Sequence, residues 1–95
     1  MERRKLNTEE INAELFELTD WDVNEKGELH HKYKFDNFAA ALTFVNKVGE
    51  IAERRDHHPD ICFGWGFADV SLITHDRGGL TDLDFAVARE INELG

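Results

Sequence analysis

Helix-like and strand-like patterns alternate along this 95-residue chain in the order α-β-β-α-β-β-α. They predict an α+β two-layer sandwich, a four-stranded and mainly antiparallel sheet with three helices on one face. Three observations carry that expectation. Apolar residues recur at helical spacing in three stretches, each preceded by a capping residue. The strand-like stretches come as two neighbouring pairs joined by turn residues. No repeat, low-complexity segment or linker interrupts the series, and Pro59 lies between structured stretches rather than at a boundary.

Met1 to Leu6 read as a frayed start. Asn7 then caps a first helix, with Glu10 placed to reach back to the cap amide, and Ile11, Leu15 and Leu18 mark its apolar side to an end near Leu18. Trp21 and Val23 open an extended segment that turns at Asn24-Glu25-Lys26-Gly27, where Gly27 supplies positive φ. Leu29, Tyr33 and Phe35 share one face of the returning strand and Lys32 and Lys34 the other. Asp36 or Asn37 caps the second helix, whose buried stripe is expected at Phe38, Leu42, Val45, Val48 and Ala52 and whose end falls near Arg55. Two further strands follow, Ile61 to Phe67 and Asp69 to His75, with Val70, Leu72 and Thr74 on one face of the second. Gly78-Gly79 forms a loop. Thr81 caps the last helix with Asp84 three residues on, and Phe85, Ala88 and Ile91 face inward.

The length suits a single domain over residues 1–95. Eleven Lys and Arg against 20 Asp and Glu leave a net charge of −9. That balance opposes nucleic acid or an anionic membrane as the main partner, because both require clustered positive charge. The basic runs Arg3-Arg4-Lys5 and Arg54-Arg55 are too short to change this and read as solvated surface. Cys62 is the sole cysteine, so neither an intrachain disulfide nor a cysteine zinc site is possible; its neighbours Ile61 and Phe63 suggest a packed thiol. No secretory or membrane-length apolar run occurs, which points to the cytoplasm.

The five histidines carry the chemistry. His30 and His31 are adjacent in a strand and point to opposite faces; structural or surface roles are expected, with His31 partly buried and hydrogen-bonded. His57, His58 and His75 form the second group. If the last two strands pair as a hairpin, His75 returns to the edge where His57 and His58 sit, with Glu53 and Asp56 on the helical turn before them. Three uses compete for such a cluster. Metal binding lacks a recognisable ligand spacing. Helix capping and backbone hydrogen bonding explain each histidine singly better than all together. Metal-free acid–base catalysis suits imidazoles, which titrate near neutrality, so that one ring donates a proton while another accepts. Composition and spacing name no substrate.

The run Glu53-Arg54-Arg55-Asp56-His57-His58-Pro59-Asp60, then Thr74-His75-Asp76 and Gly79-Leu80-Thr81 through Asp84, resembles the pterin-4a-carbinolamine dehydratase family. The resemblance extends to Trp21, to Phe35 with Phe38, and to Ala52-Glu53, and covers the chain from about Leu15 onwards. It implies the α+β sandwich, a homodimer or homotetramer, and dehydration of a 4a-hydroxytetrahydropterin to quinonoid dihydropterin and water, with no cofactor and no metal. It implies that His57, His58 and His75 carry the work, with His58 or His75 protonating the leaving oxygen and His57 accepting a ring proton. It assigns supporting or pterin-binding roles to Glu53, Asp56, Pro59, Trp65, Thr74 and Asp84. A helix-end carboxylate is the plain alternative for Asp56 and Glu53, a cap partner for Asp84, and core packing for Trp65. The resemblance also implies a functional link to an aromatic amino acid hydroxylase. Some proteins of this fold act instead as protein-binding factors, as dimerisation cofactors of a homeodomain transcription factor or in Rubisco assembly. Gly64-Trp65-Gly66 departs from relatives with bulkier residues there, which bears on the assembly state, and lacks the third glycine of a dinucleotide fingerprint.

Overall fold

The order of elements follows from local capping and turn chemistry. The computed structural model describes residues 4–94; the expected fraying of Met1 to Arg3, and Arg3 in the first basic run, lie outside these. Helix α1 spans Thr8–Glu17, and Asn7 and Glu10 form the expected reciprocal cap. Strand β1 is short, Asp22–Val23, and turns through Gly27 at φ 78° into β2, Leu29–Lys34. Helix α2, Phe38–Arg55, starts at Asn37, whose side chain accepts the Ala40 amide at 2.8 Å. Strands β3, Asp60–Gly64, and β4, Phe67–Leu72, precede a 3-10 turn, His75–Arg77, and helix α3, Asp82–Glu93. All strand pairs are antiparallel, in the order β1-β2-β4-β3.

Register divides the sheet into two faces. The pairs Leu29–Leu72, His31–Val70 and Tyr33–Ala68 share the face towards the helices, and Ile61 and Phe63 of β3 continue it. Leu29, Ala68, Val70 and Leu72 are wholly buried there, against Val48 of α2 and Phe85, Val87, Ala88 and Ile91 of α3. Burial of this kind supplies the main driving force, roughly 25 cal/mol for each Å² of apolar surface. The reverse face carries His30, Lys32, Lys34, Cys62 and Asp69.

Several expectations are corrected. The inward stripe of α2 is Ala41, Phe44, Val48, Ile51 and Ala52, while Phe38 and Leu42 are exposed and Val45 is only partly buried. The helix holds two apolar stripes one residue, about 100°, apart. Contact with the sheet selects the one whose Phe44 ring packs 4.5 Å from Tyr33 and 5.1 Å from Phe35. The third strand ends at Gly64 rather than Phe67, because the chain reverses at Trp65-Gly66. Gly66 has φ 83° and its carbonyl accepts the Phe35 amide at 2.8 Å; a side chain there would meet the Phe35 carbonyl oxygen. Leu6 is buried, and its amide donates to the Leu80 carbonyl at 2.8 Å. Cys62 is exposed on the reverse face instead of packed. No helix among the described residues is long and apolar enough to cross a membrane.

Candidate active site

The site is built where α2 ends. The His57 amide donates to the Ala52 carbonyl at 3.1 Å and the Asp56 amide to the Glu53 carbonyl at 3.3 Å, the paired bonds of a Schellman stop. The residue that such a stop holds in the left-handed region is usually glycine. Here it is Asp56, at φ 51°, and aspartate tolerates that region better than most side chains. The reversal turns His57 into the protein, where it is 7% exposed, and leaves His58 on the surface. Pro59 then leads directly into β3 at Asp60.

A second stop brings the 74–84 segment to the same place. Beyond β4, Thr74 and Gly79 form an isolated bridge, the Thr74 amide donating to the Gly79 carbonyl at 3.1 Å. The loop between them carries His75 as the first residue of the 3-10 turn, not as the end of a strand as expected. His75 is exposed. Thr81 follows as the cap of α3, and Asp84 lies in that helix's first turn, where the amide dipoles favour negative charge.

Asp84 joins the two segments. It has no exposed surface, and its Oδ1 lies 2.5 Å from His57 Nε2 in a hydrogen bond. Its Oδ2 accepts from the Thr81 amide at 2.9 Å and from the Thr74 hydroxyl at 2.8 Å, and the Thr74 and Thr81 hydroxyls are 2.9 Å apart. The aspartate is therefore cap partner, anchor of the loop that presents His75, and hydrogen-bond partner of His57. His58 Nε2 instead pairs with Glu53 on the exposed surface, one turn back on α2. Of the three histidines, His57 is buried and held, and His58 and His75 are exposed.

Of the other candidates, Trp65 is 72% exposed in the β3–β4 turn and belongs neither to the core nor to this hydrogen-bonded group. Pro59 is partly buried, and Asp56 is exposed at the helix stop. Among the described residues no group of three or more His, Cys, Asp or Glu is arranged to hold a metal ion. Sequence reasoning did not see that Thr81 shares the Asp84 carboxylate with Thr74. The available signal was the Thr81–Asp84 cap spacing, which aims that carboxylate back over the cap.

A separate cleft of about 760 Å³ opens between β2 and the first half of α2, lined by His31, Tyr33, Phe35, Phe44 and Asn92 among others. None of the histidine group lines it. His31, expected to be hydrogen-bonded, packs its ring 4.0 Å from Tyr33 and 5.5 Å from Trp21 and makes no side-chain hydrogen bond among the described residues. Burial, the largest influence on it, lowers its pKa below the ordinary 6.5. Tyr33 donates its hydroxyl to Asn92 Oδ1 at 2.6 Å, and Trp21 Nε1 donates to the same oxygen at 2.9 Å. His30, on the reverse face, bonds Asp69 at 3.1 Å.

Comparison with known proteins bears on these observations. Residues 4–94 match a family model described as Pterin 4 alpha carbinolamine dehydratase. A protein of Rubrobacter xylanophilus, provisionally named pterin-4-alpha-carbinolamine dehydratase, is 45% identical over 94% of this chain and 83% of its own. One of Metallosphaera sedula with the same provisional name is 41% identical over 95% of this chain and 93% of its own. The crystal structure of a transcriptional coactivator/pterin dehydratase from Brucella melitensis superposes with a TM-score of 0.91 at 33% identity, covering 96% of this chain and 98% of that one. A pterin dehydratase-like protein described as a RuBisCO assembly factor in the alpha-carboxysome shares the fold, with a TM-score of 0.68 at 22% identity over 79% and 88% of the two chains.

Proposed function

We propose, on the premise that this chain belongs to the pterin 4 alpha carbinolamine dehydratase family, that it converts a 4a-hydroxytetrahydropterin into quinonoid dihydropterin and water. The observation that supports this reading is the Asp84 carboxylate, which ties His57 to Thr74, the residue before His75. The chemistry balances with the protein's own groups. A proton passes to the 4a-hydroxyl oxygen, the carbon–oxygen bond breaks as a ring nitrogen supplies the electrons, and that nitrogen's proton leaves to a base. Hydroxide leaves poorly, so a positioned general acid contributes roughly 10²–10⁴-fold.

Exposure supports a division of labour. His58 and His75 are open to solvent, which suits delivery of the proton to the leaving oxygen. His57 is held in one orientation, which suits acceptance of the ring proton. Glu53 orients His58, and Asp56 and Pro59 shape the path of the chain between the rings. Stopped-flow dehydration of a 4a-hydroxytetrahydropterin tests this. His57→Ala, His58→Ala and His75→Ala should each slow the reaction at least tenfold, with a limb of the pH profile lost in at least one. Three variants as active as the parent would reject the assignment.

A protein-binding role on the same fold has its own support, since the Brucella relative is named both coactivator and dehydratase. Phe38, 45% exposed with its ring 5.6 Å from Phe63, and Trp65, 72% exposed in the following turn, lie at the open edge strand β3, a surface fitted to self-association as a homodimer or homotetramer. Light scattering should give more than one chain per particle. A cytoplasmic protein recycling pterin for an aromatic amino acid hydroxylase completes the reading. A folded, wholly inactive wild-type protein would favour the binding role instead.

A further inference from the structure

The arrangement around Asp84 decides which nitrogen of His57 is available for chemistry. Oδ2 already accepts two donors, the Thr81 amide and the Thr74 hydroxyl. A backbone amide only donates, so Oδ2 stays an acceptor. Oδ1 faces His57 Nε2 at 2.5 Å in a setting with no exposed surface on the aspartate. A carboxylate oxygen offers only lone pairs, so with Asp84 as the carboxylate the hydrogen of this bond sits on Nε2.

The other ring nitrogen is free. Nδ1 makes no hydrogen bond among the described residues, yet no buried side-chain nitrogen or oxygen among them lacks a partner. The small exposed part of His57 therefore includes Nδ1.

We propose that Asp84, held by Thr74 and Thr81, is a positioning residue that keeps His57 in its Nε2–H tautomer and reserves Nδ1 as the atom that takes the proton. In the dehydration, Nδ1 gains the proton released from the pterin ring nitrogen and His57 becomes imidazolium, its Nε2–H still on Asp84. The proton later returns to water. Catalytic use of Nδ1 rests on the dehydratase reading; the tautomer itself is a property of the resting protein.

Asp84→Asn is the discriminating variant. The Thr81 amide can only donate and demands an acceptor at the Oδ2 position, so the carboxamide oxygen settles there and its NH2 faces His57. Nε2 must then accept, and the hydrogen moves to Nδ1. Long-range 1H–15N correlation of His57 above its titration range should show Nε2–H in the parent and Nδ1–H in Asp84→Asn. The variant should retain its fold with kcat for dehydration lowered on the order of 100-fold, as expected when a general base loses its lone pair.

An Nδ1–H parent would overturn the proposal, and so would a variant that keeps Nε2–H. A variant that switches tautomer with unchanged kcat would overturn the role of Nδ1. Should Asp84→Asn fail to fold, the parent spectrum still decides the tautomer, and Thr74→Val, which leaves Oδ2 its amide donor, should keep Nε2–H; loss of it there would also overturn the proposal. A parent with Nε2–H and no dehydratase activity would sink the dehydratase reading and leave the tautomer assignment standing.

Discussion

His57, which is buried, and His31, which is half-buried beside the cleft, differ in what they touch. His57 is held by a carboxylate that Thr74 and Thr81 help to place, and its hydrogen bond is part of a closed polar network. His31 lies among aromatic rings, with Tyr33 at 4.0 Å and Trp21 at 5.5 Å, and nothing bonds its nitrogens among the described residues. Burial by itself does not make a histidine useful for proton transfer. It disfavours the charged form at His31, whereas at His57 the partner carboxylate orients the ring and specifies the protonated nitrogen.

The comparison is broken most readily at Asp84. Replacing it with Ala leaves His57, the Thr74 hydroxyl and the Thr81 amide without their shared acceptor, and each buried group left unsatisfied costs about 1–3 kcal/mol. Urea denaturation should show a fall of that order. A change below about 1 kcal/mol would mean the network is dispensable. In the cleft, Tyr33→Phe removes one of two donors to Asn92 Oδ1 and leaves Trp21 in place. The same measurement should find a loss of about 0.5–1.5 kcal/mol. If the two substitutions cost the same, the contrast between a closed polar network and an aromatic wall fails.

His58 sharpens the contrast from the other side. Its pairing with Glu53 is exposed, so His58→Ala should move stability by no more than about 0.5 kcal/mol while dehydration slows. A large loss of stability would show a structural role instead. The smallest effect is the pH dependence at His31. Its folded pKa lies below the ordinary 6.5, so on acidification the unfolded chain binds the proton first. Its contribution favours the folded state above pH 6.5 and is lost as pH falls through that value. A titration of the His31 ring by NMR should place its midpoint below 6.5. A midpoint at or above 6.5 would show that its aromatic neighbours do not exclude water.

Much of the fold was legible because the deciding interactions are local. Asn7 with Glu10, Asn37 and Thr81 with Asp84 are caps within one turn, and Gly27 is a turn residue by its own geometry. The three inward residues of α3, Phe85, Ala88 and Ile91, were readable because that helix has a single apolar side and all are wholly buried. Helix α2 was not, since either of its stripes satisfies the periodicity. The boundary at Trp65-Gly66 was missed because Phe67 suits either strand, and only pairing with Gly64 and Lys34 places it in β4. The unequal burial of His57, His58 and His75 was not legible.

From the order of residues alone came the element sequence, the caps, the turn at Gly27 and the set of titratable groups. These depend on neighbours within a few positions, and each is a short-range steric or hydrogen-bonding preference. Tertiary structure decided which stripe of α2 meets the sheet, that Cys62 and Trp65 face outward, and that Asp84 spans 27 residues to reach His57. Those outcomes rest on which surfaces exclude water together and which buried polar atoms find partners, and both depend on segments that only the folded chain brings into contact.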